Sequence, residues 1–324
     1  MQQTHSDPLV QGVLDGQVRP IARLISMIEN GHPDAPRLLA ALYPATGRAM
    51  TIGVTGPPGA GKSTFVDRLV AEIRRSGKRV AVVAVDPASP FTGGAILGDR
   101  VRMASNPGDS GVFIRSMSTR GHLGGLSIAT ESAVAVLDAS GFEVVVVETV
   151  GVGQSEIEVA ELADTTLLIQ PPGLGDGVQA VKAGIMEVPG IFVINKADLP
   201  GARSAASEIR QYLELVDAPE GQWTPPVLLA QSAADRDNGV AAVWEAVQTH
   251  WDFLKTGDRL GAGRAERARQ LIWKEADRRL AAALRRGTPA DREADLLDAV
   301  NARRLAPHEA AQALVDAFLG RRPE

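Results

Sequence analysis

Seven short aliphatic runs recur between Met50 and Gln231, and most of them show no alternation with polar residues. The runs are MTIGVTG, RVAVVAVD, GVFIRS, FEVVVVE, TTLLIQ, GIFVINK and PVLLAQ. A strand with one face in water alternates apolar and polar residues, whereas a strand covered on both faces is apolar throughout. The runs therefore predict an α/β fold, with a mostly parallel sheet flanked by helices.

Segments with helical periodicity separate these runs, and others precede and follow them. Apolar residues at helix-like spacings extend from about Pro8 to Tyr43, and no strand pattern returns after Lys255. We therefore expect an N-terminal helical segment over 1–46, a sheet domain over 47–255 and a C-terminal helical arm over 256–324. The arm is too narrow to form a core alone, so we expect it to pack on the sheet domain or, preferably, on a second chain. The predicted helices are 62–76, 126–139, 177–186, 205–216, 239–254, 264–286 and 307–319.

Composition narrows the classes of function. The 39 acidic and 34 basic residues give a net charge of −5, which offers no electrostatic case for binding nucleic acid. Cysteine is absent, which removes disulfides, thiolate zinc sites and thiol nucleophiles together. The first residues lack a signal-peptide pattern, and no apolar run is long enough to cross a bilayer. We expect a cytoplasmic protein without a membrane partner.

The segment GPPGAGKST, residues 56–64, matches the phosphate-loop pattern G-x-x-x-x-G-K-[ST]. It follows a predicted strand and opens a predicted helix, as that motif requires. Its glycines allow backbone N–H groups to surround phosphate oxygens, Lys62 would reach the β- and γ-phosphates, and Ser63 would ligate Mg²⁺. The alternative is a glycine-rich turn that binds nothing. The predicted nucleotide contacts in this loop are Gly56, Pro57, Pro58, Gly59, Ala60, Gly61, Lys62, Ser63 and Thr64.

A second motif indicates which base is bound. IFVINKAD ends a predicted strand in Asn195-Lys196-Ala197-Asp198. The Asp198 carboxylate can accept from guanine N1–H and the 2-amino group together, whereas adenine offers a bare acceptor at N1. We expect Asn195 at the base edge, the Lys196 stem along the base face, and the backbone of Ser232 and Ala233 near the guanine carbonyl. The nucleotide is therefore predicted to be GTP or GDP, and the alternative is that Asp198 only caps a helix.

Three carboxylates are predicted at the same edge of the sheet. Glu148 ends the run FEVVVVE, Asp86 ends RVAVVAVD, and Asp99 lies in a glycine-rich loop. Carboxylates converging on a triphosphate would repel it unless a cation intervened, so we expect them to hold Mg²⁺ or its waters. The glycine-rich turn after Glu148 would let the Gly151 N–H contact the γ-phosphate and withdraw when that phosphate leaves. Capping of helices or turns is the alternative for Asp86 and Asp99.

These motifs occur in the order seen in the MeaB/ArgK family of GTPases, which the chain resembles over nearly its whole length. The family comprises chaperones of adenosylcobalamin-dependent acyl-CoA mutases such as methylmalonyl-CoA mutase. ETVGVGQSE and GGAILGDR are far more specific than the phosphate loop alone. The segments that carry the resemblance are GPPGAGKST, DPASPFTGGAILGDRVRM, FIRSMSTRGHLGGL, VVVVETVGVGQSE, PPGLGDGVQAVKAGIMEV and NKAD.

The resemblance implies a P-loop GTPase that forms a homodimer through its C-terminal helical arm. It also implies slow GTP hydrolysis that the mutase stimulates, and control of adenosylcobalamin delivery to, and protection of, that mutase. Asp86, Asp99 and Glu148 correspond to the family's metal-associated carboxylates. Residues 172–187 correspond to a switch that responds to the partner, and Lys182 within it is a candidate for neutralising charge during hydrolysis, with a solvated helix lysine as the alternative.

The chain departs from the family pattern near the switches. It has Pro189-Gly190 where family members commonly carry an Ala-Asp pair, and Arg100-Val101 where Lys-Thr is frequent. The partner could therefore be a mutase for an isomeric acyl-CoA. Arg120 and His122 invite an arginine-finger or general-base interpretation, but such residues in glycine-rich loops are more often structural or interface contacts.

Other classes of P-loop protein fit this sequence less well. A GTPase that inserts nickel or cobalt usually has Cys-rich or His-rich metal sites, and this chain has no cysteine and five scattered histidines. A kinase of a transport protein would need an acceptor site, which is not recognisable. A signal-recognition GTPase would need a methionine-rich helical domain, and six methionines do not supply one.

Overall fold

The computed structural model describes residues 7–86, 108–118, 128–149, 155–173, 190–215, 221–234 and 238–320. Each of the seven predicted runs forms a strand, and they pair in the order β3-β2-β4-β1-β5-β6-β7. Every described pairing is parallel, so the predicted parallel sheet is confirmed. The strands are β1 (Met50–Thr55), β2 (Val80–Asp86), β3 (Val112–Ser118), β4 (Val144–Thr149), β5 (Thr165–Gln170), β6 (Ile191–Ile194) and β7 (Val227–Leu229).

The described helices follow the predicted ones with shifts of a few residues at their ends. Two helices, α6 and α10, were not predicted, and the predicted helix 177–186 lies outside the described residues. The long helix of the C-terminal arm begins at Arg259 and not at 264. The helices are α1 (Pro8–Leu14), α2 (Val18–Glu29), α3 (Ala35–Leu42), α4 (Lys62–Arg75), α5 (Ile128–Ala139), α6 (Ser155–Leu162), α7 (Ala202–Leu215), α8 (Val240–Lys255), α9 (Arg259–Gly287), α10 (Ala290–Asn301) and α11 (Pro307–Phe318).

The sheet is covered on both faces, which explains why its strands lack polar alternation. Val145 and Val147 of β4 face a core built with α1, α2, α3 and α5, whereas Val144 and Val146 face a core built with α4 and α8. Successive side chains of a strand point to opposite faces, so each residue of such a run is buried in one core or the other. A third cluster packs α7 against β6 and β7.

The N-terminal helices are fixed to the sheet by polar contacts as well as by apolar packing. Asp138 of α5 accepts hydrogen bonds from the backbone nitrogens of Gly47, Arg48 and Ala49, at 2.5, 3.2 and 2.9 Å. Arg115 of β3 donates from Nη2 to Glu29 of α2 at 2.5 Å. A carboxylate that accepts hydrogen bonds from several backbone N–H groups holds a turn firmly. Asp138 therefore anchors the connection that leads into β1.

By its internal contacts the chain divides into two units, Met1–Gly263 and Arg264–Glu324. The three-part division predicted from the sequence stays a prediction. In the second unit, Leu296 and Ala310 are the buried apolar residues among those described, and several large apolar side chains are exposed. No helix within the described ranges is both long enough and apolar enough to span a bilayer. The exposed apolar residues of the second unit are Ile272, Trp273, Leu280, Leu297, Val315, Phe318 and Leu319.

Candidate nucleotide site

The phosphate loop connects the central strand β1 to helix α4, at the edge where all the parallel strands end. Gly56 opens the loop with φ of +142°, and a Cβ there would lie 1.9 Å from the Ile169 carbonyl oxygen of β5. Gly61 closes it with φ of +86° at the N-cap of α4. Only glycine satisfies both the backbone conformation and the close approach to β5. In open α/β sheets, ligands bind at this carboxyl edge, between strands whose connections diverge.

Lys62 is the first residue of α4 and is buried, with 6% of its surface exposed. Its Nζ donates to the carbonyl oxygens of Gly56, at 2.7 Å, and Pro57, at 3.0 Å. A buried ammonium group is stable only when its donors are engaged. The loop therefore holds the Lys62 ammonium group beside the turn in which backbone N–H groups would bind phosphate.

Ser63 and Glu148 meet at the base of this loop. The Ser63 hydroxyl donates to Glu148 Oε1 at 2.5 Å, and Glu148 is 3% exposed. Their proximity follows from strand register, since Val54 of β1 pairs with Glu148 of β4. A hydroxyl and a carboxylate oxygen are the hard donors that Mg²⁺ prefers, so the residues present fit the cation predicted there.

Several predicted site residues lie outside the described part of the chain. Asp86 ends β2, two positions beyond Ala84, which pairs with Glu148; its backbone is therefore at the expected edge, but its side chain is not described. The predicted roles of these residues stay predictions. Those outside the described ranges are Asp99, Arg100, Val101, Arg120, His122, Gly151, Lys182 and Pro189. Among the described residues there is no group of three or more acidic or histidine side chains able to hold a metal.

Asn195 joins the phosphate loop to the predicted base-binding loops. Its Nδ2 donates to the Ala60 carbonyl at 2.8 Å, and its Oδ1 accepts from the Ser232 backbone nitrogen at 3.1 Å. Asn195 is 1% exposed, and a Cβ on Gly61 would lie 2.6 Å from its Nδ2. The structure thus reveals a bridging role that the sequence did not indicate, while contact with the base edge stays a prediction.

The remaining base-loop residues lie at the surface beside this bridge. Lys196 has a left-handed φ of 57°, and Lys196, Asp198 and Ala233 are exposed, whereas Ser232 is buried. Helix α7 begins only at Ala202, so Asp198 lies before its N-cap position, contrary to the capping alternative. The Asp198 carboxylate is therefore exposed at the carboxyl edge, on the loop that Asn195 anchors.

Arg68 also contacts the base loop, a role that the sequence did not predict. It lies on α4, half-buried, and its Nε donates to the Ser232 carbonyl at 3.3 Å. The two residues are 164 positions apart. No local pattern marks a helix arginine that contacts a distant loop, so only the tertiary structure identifies it.

An aromatic cluster lies at the opposite edge of the sheet, where β5 and β6 begin. His250 Nδ1 is 2.8 Å from Thr165 Oγ1, and its ring packs on Trp223 at a centroid distance of 4.7 Å. Burial lowers the pKa of His250 from 6.5 to about 4. Trp223 Nε1 donates to the Gly190 carbonyl at 2.7 Å, and a Cβ at Gly190 would lie 3.1 Å from His250. The glycine of the Pro189-Gly190 departure is thus explained by close packing.

A cavity of about 480 Å³ also lies at this amino edge, away from the phosphate loop. Four of its charged lining residues are paired: Lys78 contacts Glu143 at 3.2 Å, and Lys255 contacts Asp252 at 2.7 Å. Paired surface charges provide little residual attraction for a ligand. The side chains suited to phosphate and metal lie at the carboxyl edge and not around this cavity.

Residues 21–288 match the family profile described as methylmalonyl Co-A mutase-associated GTPase MeaB. A Pyrococcus abyssi protein, provisionally named a GTPase, is 48% identical over 268 residues, which is 82% of each chain. GTPase ArgK of Escherichia coli is 36% identical over 275 residues, covering 83% of this chain and 82% of ArgK. The mitochondrial methylmalonic aciduria type A homolog of Mus musculus is 32% identical over 289 residues, covering 84% of this chain and 69% of the homolog.

A solved structure has the same architecture over nearly the full length. The crystal structure titled LAO/AO transport system kinase superposes with a TM-score of 0.72 at 27% identity. The match covers 98% of this chain and 99% of the other. The likeness therefore extends to the N-terminal and C-terminal helices as well as the sheet.

Proposed function

Because the chain belongs to the MeaB family of GTPases, we propose that it is a Mg²⁺-dependent GTPase that acts as chaperone of an adenosylcobalamin-dependent acyl-CoA mutase. Guanine nucleotide is the substrate, hydrolysed to GDP and phosphate. The observation that carries the proposal is the Asn195 bridge, which joins Ala60 of the phosphate loop to Ser232 of the base loop. A site in which one buried side chain joins the phosphate loop to the base loop suits a ligand with phosphates at one end and a base at the other.

Lys62 supplies the positive charge at the phosphate end. Its ammonium group is held by two loop carbonyls, so little reorganisation is needed to present it to the β- and γ-phosphates. Backbone N–H groups at the start of α4 add the partial positive charge of the helix terminus. These groups bind the triphosphate and stabilise the charge that develops on its oxygens during hydrolysis.

Ser63 and Glu148 form the described part of the proposed magnesium site. The Ser63 hydroxyl would be a ligand, and Glu148, which accepts its hydrogen bond, would orient it or a metal-bound water. Asp86 and Asp99 are proposed to complete the set. When bound, Mg²⁺ would neutralise negative charge on the phosphates. Proposed contacts of Gly151 with the γ-phosphate, and of Lys182 after the partner docks, would couple hydrolysis to the mutase.

Base recognition is proposed for the two loops that Asn195 joins. Asp198 would accept from N1–H and the 2-amino group of guanine, while the Lys196 stem would cover the face of the base. The backbone at Ser232 and Ala233 would contact the base carbonyl. The exposure of Asp198 and Ala233 beside the buried Asn195 supports this assignment.

The mutase partner is proposed from the family description, which names association with methylmalonyl Co-A mutase. In this proposal the nucleotide state controls loading of adenosylcobalamin and protection of the mutase. The departures at Pro189-Gly190 and Arg100-Val101 keep a mutase for an isomeric acyl-CoA as an alternative partner. The cytoplasmic location stays a prediction.

We further propose a homodimer formed through the C-terminal arm, residues 256–324. Trp273 and Leu280 of α9 are 63% and 59% exposed, and they are seven positions apart, which places them on one face of the helix. Large apolar residues sharing a helix face characterise surfaces that are covered on association. A second copy of the arm is the occupant that the family resemblance implies.

A transport-protein kinase is the second candidate, because the structural relative covering 98% of this chain bears a kinase title. In that case the γ-phosphate would be transferred to a protein acceptor instead of water. The two candidates share the nucleotide site and differ in the fate of the phosphate.

The test follows the γ-phosphate of radiolabelled GTP and ATP with purified protein, with and without Mg²⁺ and an adenosylcobalamin-dependent mutase. We expect free phosphate to be released from GTP but not from ATP, and only when Mg²⁺ is present. The mutase should make this release faster. Lys62→Ala should slow release at least about 100-fold, and Lys78→Ala, at the opposite edge, should not. Label retained on a protein would favour the kinase, and hydrolysis that the mutase does not alter would contradict the chaperone role.

A further inference from the structure

Both backbone groups of Ser232 are held by side chains from other elements. Its N–H donates to Asn195 Oδ1 at 3.1 Å, and its carbonyl accepts from Arg68 Nε at 3.3 Å. Ser232 is 3% exposed, whereas the following residue, Ala233, is exposed. The turn at Ser232 is therefore clamped on its buried side by Asn195, which follows β6, and by Arg68 of α4. Its outer side is open to a ligand.

The clamp on the Ser232 carbonyl fixes the direction of the next N–H group. The Ser232 carbonyl and the Ala233 N–H belong to one planar peptide unit, and in a trans peptide they point in opposite directions. No cis peptide occurs in the described part of the chain. Because the carbonyl faces Arg68 on α4, the Ala233 N–H points away from α4.

We infer that Arg68 is a positioning residue for base recognition: by holding the Ser232 carbonyl, it aims the Ala233 N–H at O6 of guanine. This inference rests on the proposed function, since it names the specificity device of the same nucleotide site. Adenine carries an amino group at the position of O6, and an N–H aimed there would meet a second donor. Arg68 thus contributes to the choice of base without touching the base.

The placement of Arg68 on α4 gives it a second consequence. The same helix begins with Lys62 and Ser63 of the phosphate loop, so one rigid element carries the phosphate-binding cation and braces the base loop. The Nε–H is part of a planar guanidinium, whose donors have fixed directions. Loss of that donor would leave the carbonyl of a buried residue without this partner and let the peptide unit turn.

The decisive test compares two variants that differ in one donor. Arg68→Met keeps the length of the stem and removes the donor, whereas Arg68→Gln keeps an amide N–H at the position of Nε. Arg68→Lys, which keeps the charge but not that donor, replaces the methionine variant if the latter does not fold. Arg75→Met is the control, because Arg75 lies on the same helix, is exposed and pairs with Glu72.

Dissociation constants are measured by calorimetry for GDP, inosine diphosphate and 2-aminopurine riboside diphosphate. The last of these lacks both O6 and N1–H, so it cannot accept from the Ala233 N–H, whereas inosine diphosphate keeps O6 and lacks the 2-amino group that Asp198 would contact. For Arg68→Met we expect GDP to bind about fivefold to tenfold more weakly, the effect of one lost hydrogen bond. Binding of the 2-aminopurine analogue should be unchanged, and so should the ratio of GDP to inosine diphosphate. Arg68→Gln should restore the wild-type ratio between the dissociation constants for GDP and the 2-aminopurine analogue, and Arg75→Met should retain it.

Equal weakening of GDP and the 2-aminopurine analogue in Arg68→Met would mean that Arg68 only supports the fold, and the inference would fail. Unchanged GDP binding would overturn it as well. Either result leaves the proposed function intact if the wild-type protein still prefers GDP to ADP. If the wild-type protein binds ADP as tightly as GDP, the proposed function and this inference fail together.

Discussion

Ser63 Oγ donates a hydrogen bond to Glu148 Oε1 at 2.5 Å, although the two residues are 85 positions apart. The contact joins the residue after the phosphate-loop lysine to the end of the neighbouring strand β4. It assembles two oxygen donors before any ligand binds, which is the arrangement expected of a preorganised cation site.

Glu148→Gln is expected to raise the Mg²⁺ concentration needed for half-maximal GTP hydrolysis. The variant keeps the size of the side chain but removes the charge that holds the Ser63 hydroxyl and attracts the cation, and such changes typically weaken metal affinity about 10- to 100-fold. Phosphate release measured across a Mg²⁺ titration checks it. Glu143→Gln, an exposed carboxylate paired with Lys78 at the opposite edge, is the control, and an unshifted titration for Glu148→Gln would contradict the assignment.

Lys62→Met is expected to weaken binding of GTP more than binding of GDP and to slow hydrolysis by about 10²- to 10³-fold, as for loss of one preorganised donor in a transition state. The ammonium is held at the loop by Gly56 and Pro57. Binding of both nucleotides by calorimetry and single-turnover hydrolysis test this. Lys78→Met should behave as wild type, and a Lys62→Met protein with normal turnover would refute the role.

Gly61→Ala is expected to destabilise the protein more than Gly59→Ala does. Both glycines have left-handed φ, at +86° and +78°, but a Cβ on Gly61 would lie 2.6 Å from Asn195 Nδ2, whereas nothing lies within 4 Å of one on Gly59. Left-handed strain alone costs about 1 to 2 kcal/mol. Displacing Asn195 from the Ala60 carbonyl should add about 1 kcal/mol or more.

The comparison is made by urea unfolding without nucleotide, so that effects on binding do not enter. The difference between the two variants isolates the contact with Asn195 from the backbone strain that they share. Equal free energies of unfolding for the two variants would show that the bridge does not stabilise the fold.

His250 is expected to make stability depend on pH. Its folded pKa of about 4 lies below its ordinary value of 6.5, so between these values the unfolded chain binds more protons than the folded one. The stability that depends on a neutral His250 is complete above about pH 6.5. It is lost as the pH falls towards 4, by at most about 3 to 4 kcal/mol at about 1.4 kcal/mol per pKa unit.

Urea unfolding between pH 7.5 and pH 4.5 measures this dependence. His250→Asn keeps an amide near the position that contacts Thr165 and lacks the titrating ring, so its stability should fall less over this range. His308→Gln, which removes an exposed histidine, should keep the wild-type slope. Identical slopes for wild type and His250→Asn would exclude His250 as the cause.

Replacing both Trp273 and Leu280 by Glu is expected to convert the proposed dimer into a monomer, because two charges would be introduced on the apolar face of α9. Light scattering coupled to gel filtration gives the mass directly. Arg286→Glu changes the net charge by the same amount on the opposite face of the helix, and it should leave the dimer intact. A wild-type monomer, or a dimer that survives the double substitution, would refute the arm as the interface.

Local sequence features predicted much of the architecture. The runs around Val82 and Val146 became buried strands because their aliphatic residues fill two cores at once. Helix α10 was missed because it is short and has few large apolar residues, although Pro289 before it and acidic residues in its first turn are a start signal. Helix α6 is only 8 residues long and follows the glycine-rich turn, where helical periodicity is hard to detect.

The sequence by itself determined the elements and the chemical type of the site, because strand burial, the glycine-lined phosphate loop and Lys62 at the start of α4 depend on residues close together in the chain. Only the tertiary structure decided that Ser63 meets Glu148, that Asn195 bridges Ala60 and Ser232, and that Arg68 reaches the Ser232 carbonyl. These contacts join residues 37 to 164 positions apart. They depend on strand order and register in the sheet, which no short motif specifies.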